Sequence, residues 1–76
     1  MPGPTPQFVV VGRASEYSIP KFWTGRMVDR WPEYVRDPRK AFRMTEGEAK
    51  AAAAEFNAVM FNLVWSADPE DSLETP

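Results

Sequence analysis

The stretch KAFRMTEGEAKAAAAEFNAVMFNLVW, Lys40 to Trp65, begins like a helix and ends like a strand, and where the helix stops decides the fold. Thr45 followed three residues later by Glu48 has the spacing of a capping box. The hydroxyl can accept from the Glu48 backbone N–H while the carboxylate reaches back to the N–H of Thr45. The helix is therefore predicted to begin at Glu46. Ala49, Ala52, Ala53 and Phe56 follow the helical period, and small alanines would let the helix lie close on a sheet. Two continuations then compete. A helix running to Trp65 would carry its stripe through Met60, Leu63 and Val64. A helix ending near Asn57 would leave Val59, Phe61, Leu63 and Trp65 on one strand face after a two-residue link. The second is preferred, because asparagine can end a helix in the left-handed region and the residues after it are β-branched and aromatic.

Upstream, FVVVGR (Phe8 to Arg13) has the length and composition of a strand, closed by Gly12 where a bulge or turn is cheap. IPKFWTG alternates Ile19, Lys21 and Trp23 against Phe22 and Thr24, with Gly25 as its expected turn. RMVDRW reads as a third strand or an irregular return ending at Pro32, and Asp37-Pro38 as the first two positions of a type I turn. The order strand, strand, weak strand, helix, strand predicts an α+β domain: a small, mainly antiparallel sheet of three to four strands with one helix on one face.

With 76 residues the chain is one domain near the size at which an apolar core alone can hold a fold. Pro2, Pro4 and Pro6 predict a flexible arm over residues 1–6. The folded domain is placed at 7–66, and the acidic 67–76 is read as a flexible tail in which Asp68, Pro69 and the acids after them could start no more than a frayed turn. Cysteine and histidine are both absent, which removes disulfides, thiol nucleophiles, imidazole bases and cysteine–histidine metal sites. Glu46 and Glu48 do not face one another on a helix, and Asp68, Glu70 and Asp71 lack the spacing of a calcium loop. Neither an enzymatic activity nor a cofactor is expected. No signal-peptide pattern and no apolar run of membrane-spanning length is present, so a cytoplasmic protein without a membrane partner is expected.

In KAFRMTEGEA (Lys40 to Ala49) the pattern of Ala41, Met44, Thr45 and the Glu48-Ala49 pair is similar to small orphan proteins of bacteriophages and mobile elements. The resemblance implies a protein that binds and blocks or redirects host machinery, a group that includes inhibitors of CRISPR systems and other host defences. No site residue follows from it.

Charge is divided along the chain. From Arg13 to Arg43 the basic residues Arg13, Lys21, Arg26, Arg30, Arg36, Arg39, Lys40 and Arg43 outnumber the acids, whereas from Met44 onward Lys50 stands alone against seven acids. The formal net charge of −2 hides this dipole. The basic part also holds Tyr17, Phe22, Trp23, Trp31, Tyr34 and Phe42. The plainest reading is that aromatics are core, with Phe8, Phe22, Phe42, Phe56, Phe61 and Trp65 serving that purpose, and that the arginines are a solvated face. There are too many rings for that alone, so some should stay exposed away from the helix. Trp23, Arg26, Arg30, Trp31, Tyr34, Arg36, Arg39 and Lys40 are the candidate partner-binding residues, of the types enriched where proteins meet. The expected function is a small interaction protein that binds a protein or ribonucleoprotein partner. The alternative is a nucleic-acid-binding module in which the arginines of residues 13–43 meet phosphates and aromatics stack on bases. A third possibility is that the acids from Glu46 to Glu74 imitate nucleic acid.

Overall fold

Val9, Val10 and Val11 are fully buried, and their burial is explained by a sheet covered on both sides. The computed structural model describes residues 6–73. Strands β1 (Phe8–Arg13), β2 (Lys21–Val28) and β3 (Trp31–Val35) precede helix α1 (Glu46–Val59) and strand β4 (Val64–Pro69). They form one four-stranded sheet in the order β3-β2-β1-β4, with every pairing antiparallel. The α+β class and element order expected from the sequence are those observed.

Alternation along β1 sends Val10 to one face and Val9 and Val11 to the other. Val10 packs with Ala49, Ala53 and Phe56 of α1, with Met44, Met60 and Leu63, and with Trp65 of β4. Val9 and Val11 pack with Phe22 and Ala41 on the opposite face. Ala41 belongs to a strap, residues 36–44, that carries the chain from β3 back across the sheet. Fully burying a valine contributes about 1.5–3 kcal/mol, so the strap is as much a part of the core as the helix. Its ends are fixed by the backbone: Phe8 N–H donates to Met44 O at 2.8 Å, Met44 N–H to Phe8 O at 2.9 Å, and Phe42 N–H to Trp23 O at 2.9 Å. Arg43 Nε donates to Glu70 Oε1 at 3.0 Å, and its Nη1 donates to the carbonyls of Pro38 and Ala41.

The helix starts as its sequence predicts. Thr45 is the N-cap, its Oγ1 accepts from Glu48 N–H at 3.2 Å, and Thr45 N–H donates to Glu48 Oε1 at 3.3 Å. It ends differently. The helix continues through Val59 and closes on Met60, which is extended at φ −118°. Asn57 stays inside the last turn because its side chain bonds β4: Nδ2 donates to Trp65 O at 2.9 Å and Oδ1 accepts from Trp65 N–H at 2.7 Å. The link to β4 is therefore residues 60–63. The strand face predicted from Val59 does not form, since Phe61 is 90% exposed while Leu63 and Trp65 are buried.

β4 also runs beyond residue 66. Ala67, Asp68 and Pro69 pair with Val10, Val9 and Phe8. Asp68 does not cap a helix; it accepts from Arg13 at 3.3 Å and from Ser66 Oγ at 3.0 Å. The short turn of helix at Glu70–Leu73 begins two residues later. Of the predicted N-terminal arm, residues 1–5 lie outside the described residues, as do residues 74–76 of the predicted tail.

Both glycines read as turns are strand residues that make room for rings. A Cβ on Gly12 would lie 2.9 Å from two carbons of the Trp65 ring, which crosses β1 at that point. Gly25 has φ +88° and a Cβ there would lie 2.7 Å from the Phe42 ring. The turn between β2 and β3 is instead Asp29-Arg30, so β3 begins at Trp31, beside the Pro32 where the sequence suggested that a strand would end. Asp37 does begin a turn, accepting Lys40 N–H on its carbonyl at 3.0 Å and Arg39 N–H on its side chain at 3.0 Å.

Candidate interaction surface

β1 pairs with β2 only at Val11 and Gly12, so from Trp23 onward the β2–β3 hairpin leaves the sheet. The pairing of β2 with β3 shifts between Trp23 and Met27, a bulge centred on Gly25. Trp23 Nε1 donates to Arg26 O across this bulge at 2.8 Å and fixes its shape. Thr24 Oγ1 donates to Glu33 Oε2 at 2.7 Å and ties the two strands beside it. Asp29 and Arg30 close the hairpin with φ of 49° and 72°, the left-handed pair that a two-residue type I′ turn requires. Aspartate tolerates this region. Arginine is a costly occupant of it, and strain of this kind collects where a surface is used.

The hairpin tip is exposed from Arg26 to Trp31. Val28 and Trp31 are 53% and 51% exposed and form an apolar patch beside the exposed Arg30, while Met27, 50% exposed and paired with Pro32, lies on the other face of the hairpin. By register, Val28 and Trp31 are cross-strand neighbours on the sheet face opposite α1.

The candidate residues therefore separate. Arg26, Arg30 and Trp31 come together at the tip. Trp23 is a half-buried core residue, edge-on to Phe56 at 5.0 Å and to Phe42 at 6.3 Å. Tyr34 sits partly exposed on the α1 side, edge-on to Trp65 at 5.9 Å, and Phe56 meets Trp65 at 5.3 Å. One row of rings from Phe42 to Tyr34 thus lines the core, and the space over Gly12 lets Trp65 join it. Arg36 follows β3 at its far end, and Arg39 and Lys40 lie exposed on the strap. Phe42 and Phe61, expected in the core, are half exposed and almost fully exposed. Phe42 is held outside by its place over Gly25, and Phe61 by the corner that follows the longer helix.

The arginines divide in the same way. Arg13 pairs with Asp68 at 3.3 Å, Arg39 with Asp37 at 3.1 Å and Arg43 with Glu70 at 3.0 Å. The hydrogen bond from Arg39 holds the Asp37 carboxyl below the usual carboxylate range. Arg26, Arg30 and Arg36 have no carboxylate partner among the described residues. The Asp37–Arg39 pair is local, but Arg13 and Arg43 are paired by contacts between distant parts of the chain, which no local sequence signal carries.

A cleft of about 220 Å³ lies between Arg13, Ser15, Glu16, Val64 and Ser66. Its Arg13 and Ser66 both already bind Asp68. Among the described residues no group of carboxylates is arranged to hold a metal ion, and no helix is long and apolar enough to cross a membrane. No family model, curated protein or solved structure matches the chain.

Proposed function

We propose that this chain is a non-enzymatic interaction protein that engages a larger protein partner through the tip of the β2–β3 hairpin. The observation that carries the reading is the pairing pattern of the arginines. Arg13, Arg39 and Arg43 are bound by carboxylates of the chain, while among the described residues Arg26 and Arg30 are left unpaired at the tip that carries exposed Trp31, Met27 and Val28, and Arg36 is left unpaired at the far end of β3. Large aromatic and guanidinium groups on one projecting turn suit a partner with an apolar pocket rimmed by acids. A protein surface is favoured over nucleic acid because Trp23 and Tyr34 are engaged edge-on within the fold, which leaves a short stacking platform. The inhibitor role implied by the Lys40 to Ala49 resemblance is a special case, since a chain of this kind would act on a host complex by occupying its surface.

The test compares capture by the wild type and by Arg30→Ala/Trp31→Ala from nuclease-treated lysate of the source cell, with both melting curves recorded. Loss of the captured proteins at unchanged melting temperature is expected. Capture that persists in the variant would refute the reading. Capture that disappears with nuclease treatment, with salt-sensitive binding of a single-stranded oligonucleotide, would favour the nucleic-acid alternative.

A further inference from the structure

The direction of each backbone group at the sheet edges follows from bonds already described. Trp65 turns its N–H and C=O outward to Asn57, so Gly12 opposite it turns its own groups toward β2 and Lys21. The next pair, Val11 with Phe22, then points apart, and Phe22 faces Val35 of β3. One step further, Trp23 and Tyr34 must point away from each other. The bond from Phe42 N–H to Trp23 O bears this out. Tyr34 therefore presents its N–H and C=O at the outer edge of β3, where neither has a partner among the described residues. The same alternation puts Pro32 at that edge, where its missing N–H breaks no bond to β2; the residue is buried, so the open part of the edge runs from Tyr34 to the exposed Arg36.

This edge is bracketed by unpaired guanidinium groups, Arg30 before β3 and Arg36 after it, with Trp31 and Tyr34 on its two faces. We propose that the partner docks by strand addition: an extended, carboxylate-bearing segment of a protein pairs with the outer edge of β3. The inference rests on the protein-partner reading above and specifies the chemistry of the partner. An outward amide and carbonyl in strand geometry match another peptide backbone and no phosphate chain, which has no donor to offer the Tyr34 carbonyl. Arginines at both ends select acids in the incoming segment. A second copy of this chain is a poor occupant, because pairing two β3 edges would set these unpaired arginines against their own kind.

At this length the chain is accessible by chemical synthesis, which permits N-methylation of Tyr34. That change removes one outward donor and leaves the ring and all bonds to β2 in place. The probe is a random peptide library of strand length, selected on the wild-type chain. The selected peptides are then titrated against wild type, N-methyl-Tyr34, Arg36→Gln and Trp31→Ala chains. Expected are peptides rich in Asp and Glu whose affinity falls about tenfold on N-methylation, the loss of one hydrogen bond with its partner left unpaired. Arg36→Gln should weaken them in a salt-dependent way, and the Tyr34 amide should gain hydrogen-exchange protection on binding. An absence of enrichment, peptides without acidic bias, or equal binding to the N-methylated chain would each overturn strand addition. So would concentration-dependent self-association that competes with the peptides. Peptides indifferent to N-methylation but lost with Trp31→Ala would sink strand addition and leave the hairpin reading standing. Lysate capture untouched by the tip double variant would sink the hairpin reading itself.

Discussion

Arg13 and Arg43 each hold a carboxylate, at 3.3 and 3.0 Å, whereas Arg26 and Arg30 on the hairpin hold none among the described residues. The aromatic residues follow the same division: Trp65 is 2% exposed in a row of edge-on rings, and Trp31 is 51% exposed with none of those contacts. The body of the fold uses its large side chains to close the core and tie distant segments together. The hairpin presents the same residue types to solvent and accepts backbone strain at Arg30 to do so. Under the proposed function, stability and contact are carried by different regions, and substitutions should separate them.

The largest effect is expected at Gly12→Ala. The new methyl would meet a buried Trp65 ring that has no free side to retreat to, a misfit of about 1–3 kcal/mol. Denaturant unfolding should show a clearly lower midpoint, and an unchanged midpoint would mean that the ring does not cross β1. Thr45→Ala removes the acceptor for Glu48 N–H and should cost about 1 kcal/mol by the same measurement. Both substitutions belong to the body and should leave partner affinity intact once the chain is folded.

Arg30→Gly tests the opposite side of the comparison. A non-glycine residue in the left-handed region costs roughly 1–2 kcal/mol. Glycine removes that strain but adds about 0.5–1 kcal/mol of unfolded-chain entropy. A net gain of about 0.5 kcal/mol is expected, together with weaker partner capture. A variant that is less stable, or more stable and equally active, would break the separation between the regions. The smallest effect is expected at Asp37, an exposed group. Its folded pKa is lowered chiefly by the Arg39 hydrogen bond, so its contribution is present above the usual carboxylate pKa and is lost as pH falls through the lowered value. Asp37→Asn should slightly flatten the acid limb of a stability-against-pH curve, and an identical acid limb would show that the pair contributes nothing.

Features set by neighbours in the chain were legible in the sequence. The capping box at Thr45 and Glu48 and the alanine stripe of α1 are local, and both place the helix correctly on the sheet. That some aromatics would stay outside was legible from their number. The end of the helix was not, because Asn57 is retained in the last turn by the backbone of Trp65, which only folding brings near. The hairpin turn was missed since Asp29-Arg30 lacks the glycine or asparagine that marks a type I′ turn, while Gly12 and Gly25 looked like turns and are spaces for rings that arrive from β4 and the strap. The unpaired arginines could not be told from the paired ones, because Asp68 and Glu70 lie far along the chain from Arg13 and Arg43.

The Asn57 side chain, by occupying the outward N–H and C=O of Trp65, gives the sheet a valence. Pro69 has no amide to offer on the same edge, so Ala67 stands between a filled position and one without a donor, and the acids Asp68 and Glu70 lie along this edge where β3 is flanked by arginines. A sheet with two receptive edges can stack without limit into fibres. Under the strand addition proposed at β3, assembly by backbone pairing ends after a single addition, because the β4 edge offers no continuous ladder.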